Sequence, residues 1–130
     1  MKSLEDLERA FDRGLNAWEK QIVLKAAGRM GQKCVREIKR KTPVITGNLR
    51  RRWSSRAEVK DKDVTIHLQN DADYAEPVNN GHRIVNGAGE TVGYKPGRHM
   101  LEKGIKAYKE NYMADDLQEM VDQLSEGMKG

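Results

Sequence analysis

The sequence is poor in cysteine. Cys34 is the only one among 130 residues, so an internal disulfide is excluded. A structural zinc site would have to combine Cys34 with histidines, but the three histidines lie far apart and no HExxH or CxxC motif accompanies them. Cys34 instead falls among the apolar positions of a helix, where a small buried residue is its usual role. We therefore expect no metal ion and no cofactor.

Long apolar runs are also missing. No segment approaches the roughly 20 apolar residues that a membrane-spanning helix requires. The opening segment MKSLEDLERAF lacks the apolar core of a signal peptide. We therefore expect a protein that is made and kept in the cytoplasm and has no membrane partner.

Residues arranged for catalysis are scarce as well. Asp115 and Asp116 are adjacent, so they point to different sides of a helix and make a poor acid–base pair. A small basic hydrolase would use His67 or His82 with Arg83, yet nothing in their spacing favours this over surface roles. The segment GAGETVG lacks the GK[ST] ending of a P-loop. We expect no enzymatic activity.

The apolar fraction is low for a protein that folds as an isolated sphere. Apolar residues make up 37% and charged residues 34% of the chain, and the mean hydropathy is -0.85. The length suits one domain with a single modest core. We expect one domain, with a partner supplying part of its burial.

The basic charge is concentrated in one part of the chain. Residues 25–56 carry eleven basic side chains and one acidic side chain, whereas the formal net charge of the whole chain is only +4. Segregated charge of this kind suits contact with nucleic acid or with the acidic surface of another subunit, and a solvated helix face is the plainer interpretation.

The first 41 residues carry the pattern of a long amphipathic helix. Glycines weaken a helix, and we expect a bend or a break near Gly28–Gly31. Thr42 precedes Pro43, and a residue before proline avoids helical dihedrals, so the helix is predicted to end by about Lys41. The apolar residues of its stripe are Leu4, Leu7, Phe11, Leu15, Trp18, Ile22, Ala26, Met30, Cys34 and Ile38.

Alternating patterns predict a small antiparallel sheet of about four strands. Two half-buried strands, Trp53–Lys60 and Val64–Gln69, flank a turn at Asp61–Asp63 and form a hairpin. Two shorter strands are expected around His82–Val85 and Thr91–Tyr94.

A second helical pattern fills residues 100–130. Its apolar stripe is displaced by one position after Tyr112, so a kink or a fresh helix start is predicted near Ala114–Asp116. The order α, β, β, β, β, α predicts an α+β fold with a long N-terminal helix (1–41), a sheet with loops (42–99) and a C-terminal helix packed on the same face of the sheet.

The segment TPVITGNLRRRW, residues 42–53, places three arginines at a corner between the first helix and the first strand. Pro43 stops the helix, Thr46 is suited to cap a short turn and Gly47 to adopt a positive φ. Because Arg50–Arg52 are consecutive, they cannot all share one face of a strand. Guanidinium groups held in several directions suit a subunit boundary or a phosphate backbone, and a solubilising sheet edge is the alternative.

Three segments of the chain occur in an order and spacing typical of one protein family. They are KTPVITGNLRRRW (Lys41–Trp53), NDADYAEPVNNGHR (Asn70–Arg83) and PGRHMLEKGI (Pro96–Ile105). Together these segments resemble the tail-completion family of long-tailed phages and prophages, which are small neck proteins that join a finished tail to the DNA-filled head.

The resemblance implies a structural virion protein that forms a ring, hexameric in the family, at the head–tail junction. Head-closure or connector proteins, tail tube or tail terminator proteins, and DNA passing through the lumen are the implied partners; assembly would occur in the host cytoplasm. The loop from Asn79 to Tyr94, with a flexible hairpin tip at 86–90, is expected to dock on a neighbouring neck or tail protein, with an unpaired surface loop as the alternative. The expected contact residues are Asn48, Arg50, Arg51, Arg52, Asn79, Asn80, Gly81, His82, Arg83 and Arg98.

A small basic nucleic-acid binding module is the alternative hypothesis. Residues from Lys25 to Arg56 would contact phosphates, and the affinity would fall steeply with salt. Trp53 is the only aromatic residue between Lys33 and Arg56, so few side chains are available to stack on bases. Sequence-specific recognition of nucleic acid is therefore not expected.

Overall fold

A computed structural model describes residues 3–43, 48–60, 62–72, 75–85, 88 and 91–129 of the chain, and at 76–77, 82–85, 91–96 and 127–129 it describes the backbone alone. The fold is α+β, as the sequence predicts. Its elements are α1 (Leu4–Arg13), α2 (Ala17–Lys41), α3 (Asn48–Arg51), β1 (Trp53–Lys60), β2 (Asp63–Asn70), α4 (Ala75–Asn80), β3 (Gly81–Val85), β4 (Thr91–Pro96), α5 (Met100–Tyr108), a π-helical turn (Lys109–Met113) and α6 (Ala114–Lys129).

The N-terminal helical region is broken at Gly14, whereas the break predicted as one possibility near Gly28–Gly31 is absent, because α2 is one uninterrupted helix from Ala17 to Lys41. Gly14 ends α1 with a φ of +94°, a value that glycine adopts without strain. Asn16 then starts α2 with a capping box, in which its side chain accepts the Glu19 amide at 2.8 Å and its own amide donates to the Glu19 carboxylate at 3.0 Å. Because the break resets the helical phase, Trp18 is 39% exposed instead of lying on the apolar stripe.

The end of α2 and the first hairpin agree with the sequence. Helix α2 ends at Lys41, one residue before Thr42 takes an extended conformation (φ −87°, ψ 131°) ahead of Pro43. Strands β1 and β2 pair antiparallel from Trp53↔Asn70 to Lys60↔Asp63.

The expectation of one sheet of about four strands is wrong. β1 and β2 form one two-stranded sheet, and β3 and β4 form a second one, with an irregularity between Ile84 and Val85. Helix α4 lies between β2 and β3 in the chain, and Gly81 then turns the backbone with a φ of +87°. Within the described residues, neither β3 nor β4 therefore pairs with a strand of the first sheet.

Helix α2 is the central element of the fold. The C-terminal helix was expected to pack on the sheet, but its main contacts are with α2. Helix α2 lies close to the β1–β2 sheet at Gly31, where an added Cβ would lie 2.9 Å from the Ser55 hydroxyl. Its close contact with α5 is at Ile38, whose Cα would lie 2.4 Å from a Cβ added to Gly104. α5 and α6 thus pack on α2, and α2 covers the sheet.

The C-terminal helical region runs from Met100 to Lys129 with one π-helical turn inside it. A π turn accommodates one extra residue and therefore shifts the apolar stripe by one position. This turn, Lys109–Met113, directly precedes the point where the sequence predicts a kink or a fresh start, so the displaced stripe reflects a bulge in a continuous helix.

Among the described residues, the largest fully buried side chains come from α2, α5 and α6, and α1, α3 and β1 add further residues to the core. In the described part of the chain, no helix is both long and apolar enough to span a bilayer. The fully buried side chains are Val23, Ile38, Met100, Val121 and Leu124.

Candidate subunit-contact surface

The connection between α2 and β1, which we call the arginine corner, comprises the described residues 42–43 and 48–53. Thr42 is 2% exposed, and its hydroxyl donates to the Ile38 carbonyl at 2.8 Å and accepts the indole N–H of Trp53 at 2.9 Å. Because Trp53 is the first residue of β1, these two bonds fix the strand to the last turn of α2. Buried groups of this kind are costly to leave unpaired, so the corner is held in one geometry.

Asn70, the last residue of β2, braces the same corner from the other side. Its amide donates to the Leu49 carbonyl at 2.7 Å, and its side-chain oxygen accepts the amide of Ala72 at 2.9 Å. Leu49 is 4% exposed, so α3 is anchored both by its buried leucine and by Asn70. Two of the three segments that resemble the tail-completion family therefore meet in space.

The three arginines of the corner point in different directions. Arg50 is half-buried and donates to the Thr42 carbonyl at 3.1 Å, while its Nε is buried without a partner in the described part of the chain. Arg51 is exposed. Arg52 is also exposed; it donates to the Asn48 side chain at 3.1 Å and pairs with Asp71 at 3.2 Å. Arg50 is therefore bonded within the corner, whereas Arg51 and Arg52 are exposed to solvent.

The last turns of α2, which directly precede the corner in the chain, carry further exposed basic side chains. Arg36, Arg40 and Lys41 are all exposed, and Arg40 pairs with the buried Glu37 at 3.3 Å. Neither Arg36 nor Arg51 has an acidic partner among the described residues. The positive charge at this end of the molecule is therefore only partly balanced within the subunit.

Asn79, predicted as a contact residue, is buried and forms its side-chain hydrogen bonds within the subunit. It is 7% exposed, its side-chain oxygen accepts the Leu101 amide at 2.9 Å and its side-chain nitrogen donates to both Glu102 oxygens at 3.1 Å. A Cβ on Gly97 would lie 2.4 Å from the Asn79 carbonyl, so the glycine is needed for this close approach. Asn79 therefore joins α4 to the start of α5, where His99 has a φ of 50°.

The other predicted contact residues differ in how far the structure describes them. Asn80 and Arg98 are exposed, and Gly81 is half-buried. Outside the described part lie the side chains of His82 and Arg83, the residues Thr46 and Gly47, and positions 86, 87, 89 and 90 of the hairpin tip.

A polar network around the buried carboxylate of Asp116 in α6 joins α2 to α5 and α6 and was not predicted from the sequence. The carboxylate of Asp116, a buried residue, accepts from Lys33 at 2.7 Å and from the Tyr108 hydroxyl at 2.8 Å. Tyr112 stacks on Tyr108 with ring centroids 6.3 Å apart, and the Lys33 ammonium lies 6.0 Å from the Tyr112 ring. The displaced apolar stripe was the one sequence signal that pointed to this network. It marks the π-helical turn, which brings Tyr108 and Asp116 to the same side of the helix.

The electrostatics of this network favour a structural role. Burial, followed by the hydrogen bond to Asp116 and the charge of that carboxylate, raises the pKa of Tyr108 well above its usual range. The phenol therefore stays protonated and serves as a donor. Among the described residues, no group of three or more His, Cys, Asp or Glu side chains is placed to hold a metal ion.

Comparison with known proteins places the chain in a family. Residues 3–81, more than half of the chain, match the HK97-gp10-like family, described as "Bacteriophage HK97-gp10, putative tail-component". The match includes the arginine corner and ends at Gly81, before the third segment of the resemblance. No curated protein and no solved structure matches the chain. The resemblance to a phage tail-completion family is confirmed, and the chain belongs to the HK97-gp10-like family of bacteriophage tail components.

Proposed function

We propose that the protein is a structural, non-catalytic neck protein whose copies form a ring at the head–tail junction and join or complete the tail. Membership of a phage tail-component family supports this proposal. Its partners would be further copies in a hexameric ring, a head-closure or connector protein, and a tail tube or tail terminator protein. Its place would be the virion, after assembly in the host cytoplasm.

The observation that carries the proposal is the exposure of Arg51 and Arg52 on a corner that is rigidly braced. Thr42, Trp53 and Asn70 fix the backbone beneath these arginines through buried or half-buried hydrogen bonds. A backbone fixed in this way loses less conformational freedom on binding than a mobile loop. Exposed arginines on such a backbone offer bidentate donors that suit a carboxylate-bearing neighbour in a closed assembly.

Charge reversal at the corner tests the proposal. Arg51→Glu and Arg52→Glu should leave the far-UV circular dichroism spectrum and the unfolding midpoint close to wild type, because neither side chain is buried. The same variants should reduce the yield of joined, infectious particles in a complementation assay with the corresponding gene deleted. Lys62→Glu is the matched control, since Lys62 is also exposed but lies at the tip of the β1–β2 hairpin. Wild-type yields from both arginine variants would refute the proposal.

A second candidate function is sequence-independent binding of nucleic acid, which the unpaired Arg36 and Arg51 favour. Cations without acidic partners in the described chain are available to phosphates, and such binding weakens steeply as salt rises. A fluorescence-anisotropy titration with short DNA at several salt concentrations separates the two candidates. Tight, salt-sensitive binding by a monomer favours the module, and negligible binding favours assembly.

A further inference from the structure

An apolar groove with an acidic rim lies between α1 and the start of α6. Its volume is about 440 Å³, and its floor includes Leu4, which is 45% exposed, and Leu117 from α6. A contiguous apolar surface built by several side chains, with polar residues around it, is typical of an interaction site. The residues lining the groove are Leu4, Glu5, Leu7, Glu8, Phe11, Asp12 and Leu117.

The rim of this α1 groove carries three unmatched carboxylates. Glu5, Glu8 and Asp12 are exposed, and none of them forms an ion pair within the described part of the chain. An apolar floor beneath a negative rim fits the side chain of arginine, whose methylene stem packs on apolar surface while its guanidinium reaches carboxylates. The ring of Phe11 adds a surface on which a guanidinium can stack.

The groove and the arginine corner are separate surfaces of one subunit. Leu117 follows Asp116, which binds Lys33, and Lys33 precedes the last residue of α2 by eight positions, or about 12 Å of helix. Helix α1 packs on α6, whereas the corner is bonded to the last turn of α2 and to Asn70 at the end of β2. The arginines of a subunit therefore leave its own groove open to a second copy.

We propose that the α1 groove of one copy receives Arg51 and Arg52 of a second copy. This inference rests on the proposed ring and identifies the contact that would build it. Two different, complementary surfaces on each subunit give a heterologous interface, which is the kind that generates rings. The pair between Arg52 and Asp71 is exposed on both sides, 44% and 74%, so it is weak enough to be exchanged for the neighbour's carboxylates.

Reciprocal charge reversal tests the contact. The groove variant carries Glu5→Lys and Glu8→Lys, and the corner variant carries Arg51→Glu and Arg52→Glu. Each variant alone should associate at least about tenfold more weakly than wild type, because like charges would face each other at every contact. An equimolar mixture should recover the association, since each altered surface then meets a partner of opposite charge. Sedimentation velocity over a concentration series and native mass spectrometry measure the outcome, with Lys62→Glu as the control.

The result that overturns the inference is distinct from failure of the proposed function. Unchanged association of either variant alone, no recovery in the mixture, or a wild-type chain that stays monomeric up to its solubility limit would each overturn the groove contact. Circular dichroism verifies folding, and Glu8→Lys alone serves as the milder variant if the double change unfolds the protein. Joined-particle yield is scored separately: a corner variant that fails to join while the groove variant joins normally would refute the contact and preserve the neck function.

Discussion

The indole N–H of Trp53 donates to the hydroxyl of Thr42 at 2.9 Å, and this bond connects the first residue of β1 to the C-cap residue of α2. Both residues are buried, at 7% and 2% exposure. The corner that carries the arginines is therefore positioned from within the core, and its geometry depends on one hydroxyl that accepts from Trp53 and donates to Ile38.

Removal of that hydroxyl should destabilise the protein. Thr42→Val keeps the shape of the side chain but leaves the Trp53 N–H buried without an acceptor, which costs about 1–3 kcal/mol in the free energy of unfolding. Thr42→Ser keeps the hydroxyl and is the matched control. Urea unfolding followed by tryptophan fluorescence measures both variants. Equal stability of the valine and serine variants would show that the hydrogen bond contributes little.

Two helical glycines should respond in opposite ways to alanine. Gly104→Ala places a Cβ 2.4 Å from the Cα of Ile38, so α5 must move away from α2, and a loss of about 1–3 kcal/mol is expected. Gly28→Ala meets no atom within 4 Å and should stabilise α2 by about 0.5–1 kcal/mol. Thermal unfolding of both variants tests the close contact between the helices. A neutral Gly104→Ala would contradict it.

The Tyr108 phenol should make stability depend on alkaline pH. Its pKa is raised in the folded protein, so its contribution is complete below the unfolded value of about 10 and is lost as pH rises toward the folded value. Tyr108→Phe should lower the free energy of unfolding at neutral pH by about 1.5–3 kcal/mol, because the hydrogen bond to the Asp116 carboxylate is lost. The variant should also show a shallower decline between about pH 9 and 11, measured by urea unfolding at each pH. Parallel declines for both proteins would contradict this assignment.

Cys34 should be unreactive in the folded protein. It is 5% exposed, and burial together with the nearby charge of Glu37 raises the pKa of its thiol, which reduces the thiolate available for reaction. A thiol reagent such as DTNB should modify Cys34 slowly in buffer and rapidly in denaturant. Ser54→Cys places a thiol at an exposed position of β1 and supplies the fast-reacting comparison. Equal rates at the two cysteines in the native protein would disprove the burial.

Several features of the fold were predictable because their causes are local. Pro43 restricts Thr42 directly, so the end of α2 at Lys41 follows from two neighbouring residues. Alternation of apolar and polar residues fixed the first hairpin, because strand periodicity depends only on sequence spacing. The break before Asn16 was equally local, since Asn16 and Glu19 have the spacing of a capping box, but the longer apolar stripe concealed it.

The candidate site was predictable only in outline. The sequence located the arginine corner, yet adjacent arginines carry no local signal of which one turns inward. Arg50 is internal because the free carbonyl of Thr42 lies within its reach. Asn79 is internal because the start of α5, more than 20 residues later, brings Leu101 and Glu102 to it.

The sequence by itself therefore determined the end of α2, the first hairpin, the segregation of basic charge into residues 25–56, and the family to which the chain belongs. Only the tertiary structure decided that the strands form two separate pairs, and that Lys33 meets Asp116 across 83 positions of the chain. The physical reason is range: dihedral preferences and periodicity act over a few residues, whereas partners of buried polar groups are chosen by how the finished elements pack.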